Sequence, residues 1–453
     1  MSRILINNPL VIATMNDSQD EIYGGHILIE DNIIVSVGQD SIEMNDIDEV
    51  IDATDMVVLP GFINTHHHLY QTLTRNIPEM QNAPLFPWLI AHYEVWRGLT
   101  DDAVSISTEI GVLEMMKSGV TTTSDHLYLF PQKATKNLID IEIESAIKLG
   151  IRFQPTRGSM SLGKSKGGLP PDDVVQSESE IMNDVERLID KYHDKKYGAM
   201  IRISLAPCSP FSVTPKLMLE TAKYAKENDL QIHTHLCETL DEEQFCIEKY
   251  GKRPVEYMDS LNWISQNVWF AHMVHLNDDE IKKIGEVSAG ISHCPTSNMR
   301  LGSGIARIKE MIDAGVNVSL GVDGSASNDS SNMLSEIRNA MLISRLRDEK
   351  YWLSARDVLK IATRGGAAVL GRDDIGEISV GKCADIALFS MNKIEYAGGM
   401  SDPVASLVFS TRTSPVDYLI VDGKIQIREG VTKFNEANMI VEQNKIAEEM
   451  RKK

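Results

Sequence analysis

From position 56 onward, short apolar runs alternate with longer segments of helical period. The runs at 57–64, 120–125, 151–156, 200–206, 231–235, 268–271, 290–293 and 316–322 read as strands. The segment 101–118 carries Ile106, Ile110 and Leu113 at i, i+4, i+7, with Gly119 placed to end it. The segment 137–149 puts Ile139, Ile143, Ala146 and Ile147 on one side before Gly150, and 215–228, 278–286 and 308–314 follow the same logic. Strand and helix repeated eight times predict an α/β fold of the (β/α)8 barrel type. A doubly wound open sheet is the alternative. No GxGxxG or Walker-type loop follows any strand, which weakens it.

The two ends of the chain have a different texture. Residues 1–55 hold short apolar runs at 4–6, 10–12, 26–29 and 33–37, separated by turn-like pieces. Short runs return at 377–380, 384–390, 416–421 and 424–427. Neither end has enough apolar strand to bury a core of its own. The expectation is one small composite β-sandwich domain built from 1–56 and 377–453, attached to a barrel at 57–376. The tail 438–453 is expected to be a charged helix or frayed. The segment 158–173, rich in Gly, Ser, Lys and Pro and without periodicity, is expected to be a loop after the third strand. It would lie on the side where barrel active sites sit and is a candidate lid.

At 453 residues the chain fits one large barrel with an appendage. A formal net charge of −20 with no long basic cluster disfavours nucleic acid and anionic membranes as partners. The five cysteines are odd in number and form no CxxC pair, which points to a reduced, cytoplasmic protein. The first residues lack a signal-type apolar stretch with a cleavage site, and no run has transmembrane length. Neither export nor a membrane anchor is expected.

The candidate chemistry begins at Pro60-Gly61-Phe62-Ile63-Asn64-Thr65-His66-His67-His68. If this run is extended, His66 and His68 share one face and His67 points elsewhere. Other metal-binding side chains fall at later strand ends: His235 and Glu238 at the fifth, His272 at the sixth, Asp323 at the eighth. In a barrel these ends converge on one pocket. Three imidazoles and one carboxylate suit a single divalent metal with water as a further ligand. Glu238 and His272 are then left for acid–base work. His233 rivals His235, since both point one way on a strand.

These segments resemble the amidohydrolase superfamily, and within it the chlorohydrolase/aminohydrolase branch of guanine, triazine and S-adenosylhomocysteine deaminases. The resemblance rests on PGFINTHHH, HLCE, AHMVHL, SHCPTSNMRLGSGIARIKEM, GVDGSASND and GEISVGKCADIALF. It implies metal ligands His66, His68, His235 and Asp323, the motif placing the ligand three residues before the glutamate. Glu238 would shuttle a proton to a substrate ring nitrogen. His272 would polarise the water, and with Asp323 handle its protons. His233, His275 and His293 would support the ligands. Binuclear relatives carry a bridging lysine at the end of strand four. Here that strand runs IRISLAPC, which implies one metal, Zn2+ or else Fe2+. A homo-oligomer, dimer or larger, is also implied.

Within the branch the nearest resemblance is to 8-oxoguanine deaminases and hydroxydechloroatrazine ethylaminohydrolase-like proteins. It is carried by NTHHHLYQTLTRNIPEMQNAPLFPWL, LAPCSPFSV and THLCETLDEEQFC. It implies hydrolytic deamination of a free purine or pyrimidine base, 8-oxoguanine first and isocytosine or guanine-like bases beside it. Gln71 can donate and accept at once toward a base edge. Trp96 is expected to stack on the ring, Arg157 to reach a ring carbonyl, and Cys208 to open the pocket where many relatives carry histidine. An s-triazine aminohydrolase or chlorohydrolase is the alternative, and a metal-free scaffold a more distant one.

Overall fold

The computed structural model describes residues 2–40, 42, 46–132, 134–410 and 415–452. Eight parallel strands close on themselves: β1 (Phe62–Asn64), β2 (Val120–Leu127), β3 (Arg152–Ser159), β4 (Ser204–Pro207), β5 (Ile232–Leu236), β6 (Val268–His272), β7 (Gly290–His293) and β8 (Asn317–Leu320). Each pairs with the next, and Leu320 of β8 pairs with Asn64 of β1 to complete the ring. The fold is a (β/α)8 barrel. All but one of the strand residues are buried, as expected for a parallel sheet covered on both faces.

The apolar run 57–64, expected as one strand, is two. Met56–Pro60 pairs antiparallel with Ile386–Ser390 outside the barrel, and only Phe62–Asn64 enters it. Gly61 makes the break possible: a β-carbon there would lie 2.2 Å from the Thr121 side chain. The fourth strand is also shorter than expected, because Ile201 forms only an isolated bridge with Phe153 before Ser204–Pro207 begins.

Both chain ends contribute to the outer sheets. A four-stranded sheet runs Ile33–Gly38, His26–Glu30, Arg3–Asn7, Glu49–Asp52. A seven-stranded sheet runs Val431–Thr432, Lys424–Arg428, Tyr418–Val421, Ile386–Ser390, Met56–Pro60, Val11–Ala13, Glu21–Ile22. Ile4, Ile27 and Ile29 pack with Val58, Ile386 and Ile420 in one apolar cluster, so the two ends share a core. Arg152 at the start of β3 fixes this unit to the barrel through a buried bidentate pair with Asp385, at 2.9 and 3.0 Å.

The tail is a helix, Glu436–Arg451, laid on the barrel rather than frayed. Glu436 pairs with Lys117 at 2.8 Å. Gln443 Nε2 donates to Thr72 Oγ1 at 3.0 Å, on the turn that follows His68. Among the described residues no helix is long and apolar enough to cross a membrane.

Candidate active site

The strand ends do converge. His66 Nε2 lies 3.3 Å and His68 Nε2 3.4 Å from Asp323 Oδ1. His68 Nε2 stands 3.1 Å from His235 Nε2. His272 Nε2 faces Glu238 Oε2 at 3.6 Å and Asp323 Oδ2 at 3.8 Å. His67 points away and meets Ser331 Oγ at 2.9 Å.

Hydrogen bonds on the far side of each ring fix where its lone pair points. A carbonyl can only accept, so the Nδ1 atoms of His68 and His235 donate, to His126 O and Cys208 O, both at 2.7 Å. His233 Nδ1 likewise donates to Trp269 O at 2.9 Å. Its Nε2 is left to accept from His66 Nδ1 at 2.8 Å. Burial holds His66, His68, His233 and His235 below their ordinary imidazole range, so all four are neutral near pH 7. The Nε2 lone pairs of His66 and His68 therefore face Asp323 Oδ1. His66 Nε2 is buried with no hydrogen-bond partner. His68 and His235 direct lone pairs at each other across 3.1 Å. Such a set is repulsive until a cation sits between its members, and neutral imidazole with carboxylate is the donor set that zinc prefers. The residues present fit a divalent metal.

Beside this cluster stands an acid–base pair. Burial pushes the Glu238 carboxyl up to about 7, against the pull of His272. Burial pulls His272 down, but Glu238 and Asp323 outweigh it and leave the ring above its ordinary value. His272 Nδ1 is tied to Asn298 Oδ1 at 2.9 Å, which leaves Nε2 facing the two carboxyl groups. The backbone is strained at these turns: Cys237, His272 and Asp323 adopt φ of 54°, 74° and 61°.

A cavity opens above the cluster. Glu238, His272, Asp323, His68 and His235 form its floor. Gln71, Cys208 and Trp88 stand in its walls, which Leu85, Phe211 and Leu301 make largely apolar. The Gln71 amide packs on the strand-eight loop so closely that a β-carbon on Gly324 would lie 1.9 Å from Oε1. That oxygen is buried and has no partner.

Two expectations are corrected. Trp96 does not line the cavity. Its indole donates to Thr74 Oγ1 at 3.0 Å and its ring packs edge-on to Tyr70 and Trp88 in the core. Trp88, two turns earlier on the helix Leu85–Trp96, takes the wall position. Arg157 is not free to meet a ligand either. Strand alternation sends it outward, where it binds Asp184 and Gln176 and covers the Phe130 ring at 4.0 Å. The segment 158–173 contributes no residue to the cavity wall. It is laced to the loop after β4 through Ser161 and Leu162, both donating to Ser212 O at 3.0 Å.

Sequence reasoning missed several contributors. His126 offers an unpartnered Nδ1 and groups with His66 and His235, their ligand atoms within 4.8 Å of one another, and Tyr128 lines the cavity. The alternation Ser124, His126, Tyr128 would have revealed both had the second strand been carried beyond Asp125.

Residues 57–426 match the family described as Amidohydrolase family. The chain belongs to the amidohydrolase family. It is 45% identical over 430 residues to an 8-oxoguanine deaminase of Pseudomonas aeruginosa, covering 95% of each chain. It is 33% identical to a hydroxydechloroatrazine ethylaminohydrolase of Pseudomonas sp., covering 90% of this chain and 87% of that one. Among solved structures, the zinc complex of an atrazine chlorohydrolase from Arthrobacter aurescens superposes with a TM-score of 0.94 at 33% identity, covering 98% and 100%. This amidohydrolase is thus a hydrolase acting on C–N bonds, of the deaminase kind.

Proposed function

We propose that the protein is a hydrolytic deaminase of a free purine or pyrimidine base, 8-oxoguanine foremost, with isocytosine and guanine-like bases beside it. The observation that carries this is a cavity whose lining brings His68, His235 and Asp323, with His66 3.3 Å from Asp323 beside it, together with the Glu238–His272 pair. Similarity over nearly the whole chain to an 8-oxoguanine deaminase supports the choice of base.

His66, His68, His235 and Asp323 would hold one divalent metal, zinc by the donor set and iron as the other possibility. Bound there, it supplies Lewis acidity that makes a water nucleophilic at neutral pH. Glu238, whose burial raises its carboxyl to about 7 and so lets it carry a proton near neutral pH, gives that proton to the ring nitrogen next to the amine-bearing carbon. That carbon becomes electrophilic and accepts the water oxygen. His272, oriented by Asn298 and Asp323, takes one proton of the water and passes it to the amine, which departs as ammonia as the carbon–nitrogen bond breaks, while the remaining hydroxyl proton returns to Glu238 as the carbonyl forms. Gln71 and Cys208 hold the base edge and Trp88 bounds its face. The absence of lysine at the end of β4 agrees with one metal. We assign the enzyme to the cytoplasm, since all five cysteines are free and buried, and expect it to assemble as a homo-oligomer without nucleic-acid partners.

Ammonia release over guanine, 8-oxoguanine, isocytosine, cytosine and hydroxytriazines tests the reading. The highest kcat/KM is expected with 8-oxoguanine. A clear preference for the triazines would instead favour an s-triazine hydrolase, the reading to which the fold match with the chlorohydrolase lends weight.

A further inference from the structure

Glu238 follows a turn that the chain would not adopt unaided. β5 ends at Leu236, Cys237 takes the left-handed conformation at φ 54°, and the helix Leu240–Tyr250 begins after Thr239. For a residue with a side chain this conformation is strained. Two sets of hydrogen bonds hold it. The Cys237 carbonyl accepts from Val274 N at 2.9 Å and His275 N at 3.0 Å, on the turn that follows His272. On its other side stands Glu242. Its Oε1 accepts from Cys237 N at 2.9 Å and its Oε2 from Glu238 N at 3.0 Å.

This is not an ordinary helix cap. A glutamate at the third helical position normally accepts from the backbone N–H of the capping residue. Here it reaches past Thr239, whose hydroxyl has no partner, to the two residues before it. Glu242 is fully buried, and among the described residues no other donor meets its carboxylate. A buried carboxyl group is costly unless its hydrogen bonds are made, so its placement is tied to these two N–H groups. The same peptide that Glu242 grips is bonded to the turn carrying His272.

We propose that Glu242 is a positioning residue for the proton transfer. Through the Cys237–Glu238 backbone it sets where the Glu238 carboxyl stands against His272, 3.6 Å away. The proposal rests on reading Glu238 as the proton carrier.

Glu242→Gln tests it, because one amide NH2 would then face a backbone N–H, donor against donor. The metal-loaded variant should keep its metal content and cooperative unfolding, with KM within ~3-fold, while kcat falls ~10- to ~100-fold, as a misplacement near 1 Å would produce. The pH dependence of kcat should shift, which a purely structural defect would not cause. In a Glu238→Gln background the same substitution should cost no more than ~3-fold further, since it acts through the missing carboxyl. Should Glu242→Gln fold poorly, Glu242→Asp keeps the carboxyl group but withdraws it by one methylene, and the same loss of kcat is expected. Turnover by Glu242→Gln within ~3-fold of wild type, or an equal fold-loss in both backgrounds, would overturn the proposal. Full activity of Glu238→Gln alone would instead remove the reading beneath it, and the two failures are told apart by that single variant.

Discussion

His68 Nε2 and His235 Nε2 face each other across 3.1 Å, and neither carries a proton, because each ring spends its N–H on a backbone carbonyl. The barrel thus holds two lone pairs in opposition, with Asp323 Oδ1 3.4 Å from the first. Removing the metal should therefore destabilise the protein as well as silence it. Chelation is expected to lower the unfolding midpoint, and stoichiometric zinc to restore it, by the linkage of binding to folding. Calorimetry with and without chelator checks this; an unchanged midpoint would mean that the cluster does not hold a metal.

Metal content gives a second prediction. Purified protein should carry about one divalent ion per chain by elemental analysis, as four ligands and no bridging lysine imply. His66→Ala and Asp323→Ala should lose metal and activity together. A reproducible value near two would contradict the single-metal reading.

Gly324 gives a third. Gly324→Ala places a β-carbon within 1.9 Å of Gln71 Oε1, so the amide must move. Loss of one hydrogen bond to the base, worth ~1 kcal/mol, should raise KM about three- to tenfold with a smaller change in kcat. Steady-state kinetics on the best base checks it; an unchanged KM would remove Gln71 from substrate recognition.

Asp140 gives a pH prediction away from the site. Burial raises its carboxyl, but Arg187, Lys191 and Tyr192 prevail and hold it at about 2, below its ordinary 3.8. A depressed carboxyl contributes stability that is present above its unfolded value and lost as pH falls through the folded one. Asp140→Asn should lower the unfolding midpoint by a constant amount from pH 7 to about 4, and the gap should narrow below that. A gap that stays constant down to pH 3 would exclude these contacts as its cause.

Much of this was legible in the sequence. Strand-end histidines announced themselves because a barrel gathers such ends, and the period-two pattern separated His67 from its neighbours. The wall of the cavity was less legible. Trp88 and Trp96 lie two turns apart on one helix, and only the packing of Tyr70 and Thr74 decides which meets the cavity. Arg157 was misplaced because a strand-end position says nothing of the face a side chain takes. Glu242 carried no signal at all, since its role comes from backbone N–H groups that every sequence possesses.

The most direct measurement compares ammonia release from 8-oxoguanine by wild type and Glu238→Gln, each with its metal content determined. Wild type should release one ammonia per base consumed. Glu238→Gln should hold the same metal, bind the base within a few-fold, and lose ~10²–10⁴ in kcat, the usual cost of removing a general acid. Turnover by the metal-loaded variant within about threefold of wild type, far less than that range, would contradict the assignment of Glu238 as proton carrier.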